Sequence, residues 1–159
     1  MVNPKTPDSI LVILTGGRID SVWDGGIDEI VVAKHSVIPE YFKELKTEGL
    51  EFKEVCMKDS RALVLEDRIA ILQAIEQSHT NKILITHGTH TLPDTIEFLN
   101  KHLKDKSKTI VFTGSSTPLK DFKSSDAALN LGYALAKVED LPAGLYFCAN
   151  NQTTPAERI

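Results

Sequence analysis

The chain alternates short, nearly unbroken apolar runs with segments whose apolar residues recur at helical spacing. "SILVILT" (9–15) is a continuous aliphatic and β-branched run, the pattern of a strand covered on both faces. "VIPEYFKELKTEG" (37–49) reads as a helix, with Pro39 in its first turn and Gly49 past its end. "LEFKEVCM" (50–57) alternates like a strand, and the polar loop "KDSR" follows it. "LEDRIAILQAIEQS" (65–78) places Ile69, Leu72 and Ala74/Ile75 on one helical face. "KILIT" (82–86) predicts a strand, "HGTHT" its loop, and "LPDTIEFLNKHL" (92–103) a helix burying Ile96, Leu99 and Leu103. "TIVFTG" (109–114) is another strand, with the loop "SSTPLKDFK" after it. Ser125 or Asp126 then caps the helix "AALNLGYALAKV" (127–138), and "PAGLYFCAN" (142–150) is the last strand.

Strand and helix thus alternate in one pass, without linker or repeat, so the chain reads as a single domain, 1–159. Helices between successive strands imply parallel pairing through right-handed crossovers, hence a doubly wound, three-layer α/β/α fold. Five strands suggest the flavodoxin-like order 2-1-3-4-5, a mainly parallel sheet. In that order the sheet reverses between its first and third strands, and ligands bind at the crevice formed there. The loops flanking it are "TGGRID" and "HGTHT".

Composition narrows the classes of function. A length of 159 residues supports a real core without staples. A net charge of −4 argues against general nucleic-acid binding, which needs clustered Lys and Arg. The densest basic stretch, Lys101 to Lys108, reads as a solvated helix end favoured by the dipole. Cys56 and Cys148 lie in apolar strand-like runs and read as buried free thiols. No apolar run approaches membrane-spanning length, and "MVNPKTPDSI" has no apolar leader core, so a cytoplasmic protein is expected.

The loops carry the candidate chemistry. Gly16–Gly17 has neither the spacing of a dinucleotide fingerprint nor the lysine of a phosphate loop, which leaves little for a nucleotide-binding reading. Thr15, Ser60, Thr86, Thr89 and Thr91 bring hydroxyls to strand ends; Thr91 reads as a helix cap. Thr89 is the best nucleophile among them because His90 could accept its proton, with Thr15 a second candidate. His87 and His90 could begin a metal site, but no third ligand lies at zinc spacing unless the fold supplies Asp20 or Asp59. No metal or cofactor is expected.

"LTGGRI", "KDSR", "ITHGTHT", "VFTGSSTP" and "SSDAALNLGYAL", in this order, resemble the amino-terminal domain of the bacterial-type L-asparaginase family, closest to its short-chain members. The resemblance covers nearly the whole chain and implies a flavodoxin-like sheet, a small-molecule substrate, a homodimer and no carboxy-terminal domain. The family's first turn reads T-G-G-T-I, and its second threonine is the nucleophile; Arg18 stands in that place. The family's D-S pair, which binds the substrate α-carboxylate, matches Asp59–Ser60. Its H-G-T-D-T loop matches Gly88 and Thr89, and His90 stands where an aspartate holds the α-ammonium. Trp23 aligns with a tyrosine after the first turn, and the catalytic lysine would fall just after "TPAERI".

The resemblance thus implies substrate contacts from Gly17, Arg18, Asp59, Ser60, Gly88, Thr89 and His90, with chemistry altered at the working positions. A guanidinium is always protonated and offers no nucleophilic oxygen. Ordinary asparagine hydrolysis is therefore expected to be weak or absent. The two replacements make the crevice more positive by about two charges. Two readings of Arg18 remain open: it clamps a small anionic ligand, or it folds onto Asp20, Asp59 or Asp126 and plugs the pocket. A non-catalytic small-anion sensor or interaction domain is the alternative function.

Overall fold

The computed structural model describes residues 9–159. The rest of the amino-terminal stretch read above as lacking a leader lies outside the described residues. All five predicted strands and all four predicted helices are present, and two strand pairings are additional.

Among the described residues, eight strands and four α-helices follow one another: β1 (Ile10–Gly16), β2 (Ser21–Asp24), β3 (Glu29–Val32), α1 (Ile38–Glu44), β4 (Leu50–Lys58), α2 (Leu65–Glu76), β5 (Lys82–Thr86), α3 (Leu92–His102), β6 (Thr109–Thr113), α4 (Ala127–Asp140), β7 (Gly144–Ala149) and β8 (Gln152–Pro155). The main sheet has six strands in the order β4-β1-β5-β6-β7-β8. Its first five are parallel and keep the 2-1-3-4-5 arrangement; β8 adds an antiparallel edge to β7. That edge returns through Asn150 and Asn151, both with positive φ (54° and 58°), the conformation a tight hairpin turn requires. The second addition is the β2–β3 hairpin, standing apart from the main sheet.

Successive side chains of a strand point to opposite faces, so each central strand feeds two apolar layers. Ile13, Ile83, Ile85 and Phe112 pack with Ile71 and Ile75 of α2 and Ile96 and Leu99 of α3. Val12, Leu14, Leu84 and Val111 pack on the other face with Ile38 and Phe42 of α1 and Leu131, Ala134 and Val138 of α4. This gives the three-layer α/β/α architecture and explains why β1, β5 and β6 read as unbroken apolar runs.

Several expectations are corrected. Helix α1 ends at Glu44 instead of running up to Gly49, because Lys46 is already left-handed (φ 56°). On α2 the buried residues are Ile71, Ala74 and Ile75, whereas Ile69 is exposed. Lys108 is buried, not solvated; its ammonium donates to the Ser78 carbonyl (2.9 Å) and the Thr80 carbonyl (2.7 Å). Both cysteines are free thiols, Cys148 buried and Cys56 half-buried, and burial pushes the Cys56 thiol up to about 11.

Candidate ligand-binding site

The first turn is set by the edge of β1. The pairing register slips between Leu14↔Glu54 and Gly16↔Lys58, so β4 spends two extra residues there. The Gly17 amide then donates to the Lys58 carbonyl at 2.9 Å. This brings the chain close against β4 before Arg18–Asp20 form a single helical turn. Behind it the Ser21 hydroxyl donates to the Gly17 carbonyl at 2.9 Å, and the Leu119 amide to the Ile19 carbonyl at 3.0 Å.

Asp20 closes the base of the hairpin. Its carboxylate is fully buried and accepts from the Ser36 hydroxyl (2.6 Å) and the Val37 amide (2.8 Å). Glu54 of β4 accepts from the Ser36 amide (2.7 Å) and faces His35 Nδ1 at 2.9 Å. Burial raises the Asp20 carboxyl, only partly opposed by its two donors, and Glu54 raises it further.

The turns after β4 and β5 interlock. The Thr91 hydroxyl donates to the Ser60 carbonyl at 2.7 Å, so it ties two loops together rather than capping α3. His87 is buried between Gly88 and Thr95. A carbonyl only accepts, so Nδ1 carries the proton toward the Gly88 oxygen (2.5 Å). Nε2 then accepts from the Thr95 hydroxyl (2.8 Å), which itself accepts from Arg68 Nε (3.0 Å). Burial, aided by the nearby Arg68 charge, pushes the His87 imidazole down to about 4 against the opposing Gly88 bond.

On the far side, Asn130 of α4 is buried. Its Nδ2 donates to the Gly114 carbonyl (2.8 Å) and its Oδ1 accepts from the Asn150 amide (2.9 Å). Asp126 accepts from the amides of Ser116 (2.9 Å) and Thr117 (3.0 Å). Burial pulls the Asp126 carboxyl upward, but those amides outweigh it and hold it below its ordinary range. The amide of Ala127, at the start of α4, bonds the Ser125 hydroxyl instead (3.0 Å).

Together these loops enclose a cavity of about 780 Å³ at the carboxyl ends of β1, β4, β5, β6 and β7. It contains the point where the sheet reverses direction, between β1 and β5. Gly17, Arg18, Asp59, Ser60, Gly88, Thr89 and His90 all line it. Thr15 does not: its hydroxyl is buried and donates to the Thr86 carbonyl at 2.7 Å. Trp23 also lies off the cavity, 54% exposed on β2 opposite Ile30.

Sequence reasoning missed Arg61, Asn130, Asn150 and the hairpin residues Ile30, Val31 and Val32, all of which line the cavity. The available signals were Arg61's place directly after Asp59–Ser60 and an asparagine on the apolar face of α4.

The cavity's ionisable lining is two arginines, two aspartates and His90, so it is formally neutral or, with His90 protonated, singly positive. Asp59 is already paired with Arg61 through its Oδ2 and Nη2 (2.7 Å), and this contact holds its carboxyl down at about 2. The Arg18 side chain is exposed and forms no ion pair with any carboxylate among the described residues. Asp20, Asp59 and Asp126 each accept from other donors, so the plugged arrangement is not the one observed. Among the described residues, no three His, Cys, Asp or Glu side chains are grouped to hold a metal ion. Nor, among them, is any helix long and apolar enough to cross a membrane.

These features define a doubly wound α/β domain with a polar crevice at its switch point. Residues 9–159 match the family model for the asparaginase N-terminal domain, and the chain belongs to that family. Solved structures agree. The thermostable L-asparaginase from Thermococcus kodakarensis superposes with a TM-score of 0.80 at 26% identity, covering 93% of this chain and 46% of its own. A probable cytoplasmic L-asparaginase from Campylobacter jejuni gives 0.78 at 23% identity, over 94% of this chain and 48% of its own. L-asparaginase I from Vibrio cholerae gives 0.78 at 23%, over 96% and 48%. The chain therefore spans about half the length of these structures. No curated protein matches it.

Proposed function

We propose that this chain is an asparaginase-family domain whose cavity takes a small carboxylate-rich or phosphorylated ligand lacking a free amine. In this reading ordinary L-asparagine hydrolysis is weak or absent. The observation that carries it is Arg18, an exposed residue of the cavity lining that forms no ion pair with a carboxylate among the described residues, while the lining carboxylates Asp59 and Asp126 accept from protein donors. A guanidinium without a carboxylate partner suits a carboxylate or phosphate, whereas an ammonium meets lining carboxylates already engaged by protein donors. By family resemblance Arg18 also occupies the nucleophile's place and His90 that of the ammonium-holding aspartate.

Ammonia release from asparagine and glutamine tests the catalytic half, comparing the chain with Arg18→Thr/His90→Asp. Little release by the wild type and a gain in the double variant support the reading. Ordinary turnover by the wild type overturns it. Calorimetric titration with succinate, phosphate, asparagine and aspartate tests the binding half; tighter binding of the amino acids refutes it.

A second reading, a residual amidohydrolase, has one observation in its favour. Thr89 lines the cavity beside His90. A hydroxyl nucleophile needs a base within hydrogen-bond reach, and His90 is its neighbour in the chain on the same cavity wall. Thr89→Ala should then abolish whatever ammonia release the wild type shows. Under either reading the family resemblance carries a cytoplasmic homodimer, which light scattering of the purified chain and cell fractionation would check.

A further inference from the structure

Arg61 directly follows Asp59–Ser60 and spends its donors on its own neighbour. Asp59 Oδ1 accepts from the Arg61 amide (2.8 Å) and from its Nε (3.0 Å), and Oδ2 accepts from Nη2 (2.7 Å). The guanidinium fork thereby covers both carboxylate oxygens. Asp126, the other lining aspartate, is held by the Ser116 and Thr117 amides, which no side-chain substitution removes. Asp59 is different, because a side chain occupies its outer oxygen.

We propose that Arg61 is a specificity-determining residue of the cavity: by occupying Asp59 it excludes ligands bearing an α-ammonium and favours the matching carboxylates without one. The proposal rests on the small-anion reading of the cavity. With Arg61 holding three donors on Asp59 and its positive charge set beside the carboxylate, an ammonium gains little there and is repelled by the arginine. His90 lines the same wall and acts in the same direction when protonated. Truncating Arg61 leaves the amide bond to Oδ1 but opens Oδ2 to the cavity. Both side chains reach solvent, so the change does not disturb the core.

Succinate and aspartate differ only by the α-ammonium, so their ratio of dissociation constants reads this discrimination directly. Calorimetric titrations would compare the full chain, Arg61→Gln and Asp59→Asn/Arg61→Gln. The wild type should bind succinate at least tenfold more tightly than aspartate. Arg61→Gln should shift that ratio at least tenfold toward aspartate, and the double variant should return it to the wild-type value. An unchanged ratio in Arg61→Gln, with succinate still bound, overturns the role of Arg61 and leaves the small-anion reading intact. A shift that persists in the double variant also overturns it, because Asp59 is then not the group released. A wild type that fails to bind succinate overturns this inference, and failure to bind phosphate as well removes the small-anion reading.

Discussion

Gly17 and Gly88 approach so closely that a Cβ on Gly17 would lie 2.7 Å from the Gly88 nitrogen. Gly17 also holds φ at +82°, where an L side chain is strained. Alanine there meets backbone that cannot rotate away. Gly17→Ala should therefore cost at least about 2 kcal/mol. In Gly88→Ala the new methyl meets the Ser60 side chain at 2.8 Å, with no positive φ to add to the cost. Urea midpoints should rank Gly17→Ala as the less stable; the reverse order would contradict backbone contact as the cause.

Acid should destabilise the fold through His87. Its imidazole is buried neutral and titrates at about 4 when folded. An unfolded histidine titrates near 6.5, so between those values the unfolded state binds the extra proton. Stability from this group is complete above about pH 6.5 and lost as pH falls toward 4, about 3 kcal/mol in all. His87→Gln should flatten that part of the curve. Denaturation of both proteins at several pH values provides the check.

Asp20 acts with the opposite sign. Its carboxyl is raised by burial, so the folded state holds its proton more tightly than the unfolded state. Its contribution is complete below the ordinary carboxylate range and is lost as pH rises through the raised value. In the wild type this partly masks the His87 slope, so single variants are needed to separate them. Asp20→Asn should remove the Asp20 dependence while keeping an acceptor for the Val37 amide. Asp20→Ala leaves that amide and the Ser36 hydroxyl unpaired and should cost about 1–3 kcal/mol more. Equal stability of the two variants would show that Asp20 is not the clasp of the hairpin.

How much of this was readable along the chain follows from how local each signal is. "KILIT" coincides with β5 because both its faces are covered, leaving a bare apolar run. The β2–β3 hairpin escaped notice because each strand is four residues long and none of Trp23, Ile30, Val31 and Val32 is fully buried. Its one clear mark was the "DGG" at its turn, where the Gly26 amide bonds Asp24 Oδ1. Strand β8, "QTTP", has no apolar residue to betray it and pairs only along a sheet edge. The loops of the cavity wall stood out as unusual motifs, but the pairing of Arg61 with Asp59 depends on a side-chain conformation that no periodicity encodes. Lys108 illustrates the same limit, since a lysine among charged neighbours gives no hint that two carbonyls await it.

Asn130 shows what a single buried amide does for the cavity. It joins the loop after β6, through the Gly114 carbonyl, to the turn after β7, through the Asn150 amide. These partners lie 16 and 20 residues away, so only the fold brings them together. Asn130→Ala would leave the buried Gly114 carbonyl and the partly exposed Asn150 amide without their side-chain partner, a loss of about 1–3 kcal/mol. Because the two loops form one wall of the cavity, succinate affinity should fall as well. The local readout is hydrogen exchange at the Asn150 amide, whose protection should drop further than that of the β5 amides. Asn130→Asp keeps the acceptor for Asn150 but sets a carboxylate oxygen against the Gly114 carbonyl, near Asp126. It should therefore preserve more Asn150 protection than Asn130→Ala while gaining no stability over it. Equal loss of protection across the whole sheet in both variants would mean that Asn130 supports the core generally rather than the cavity wall.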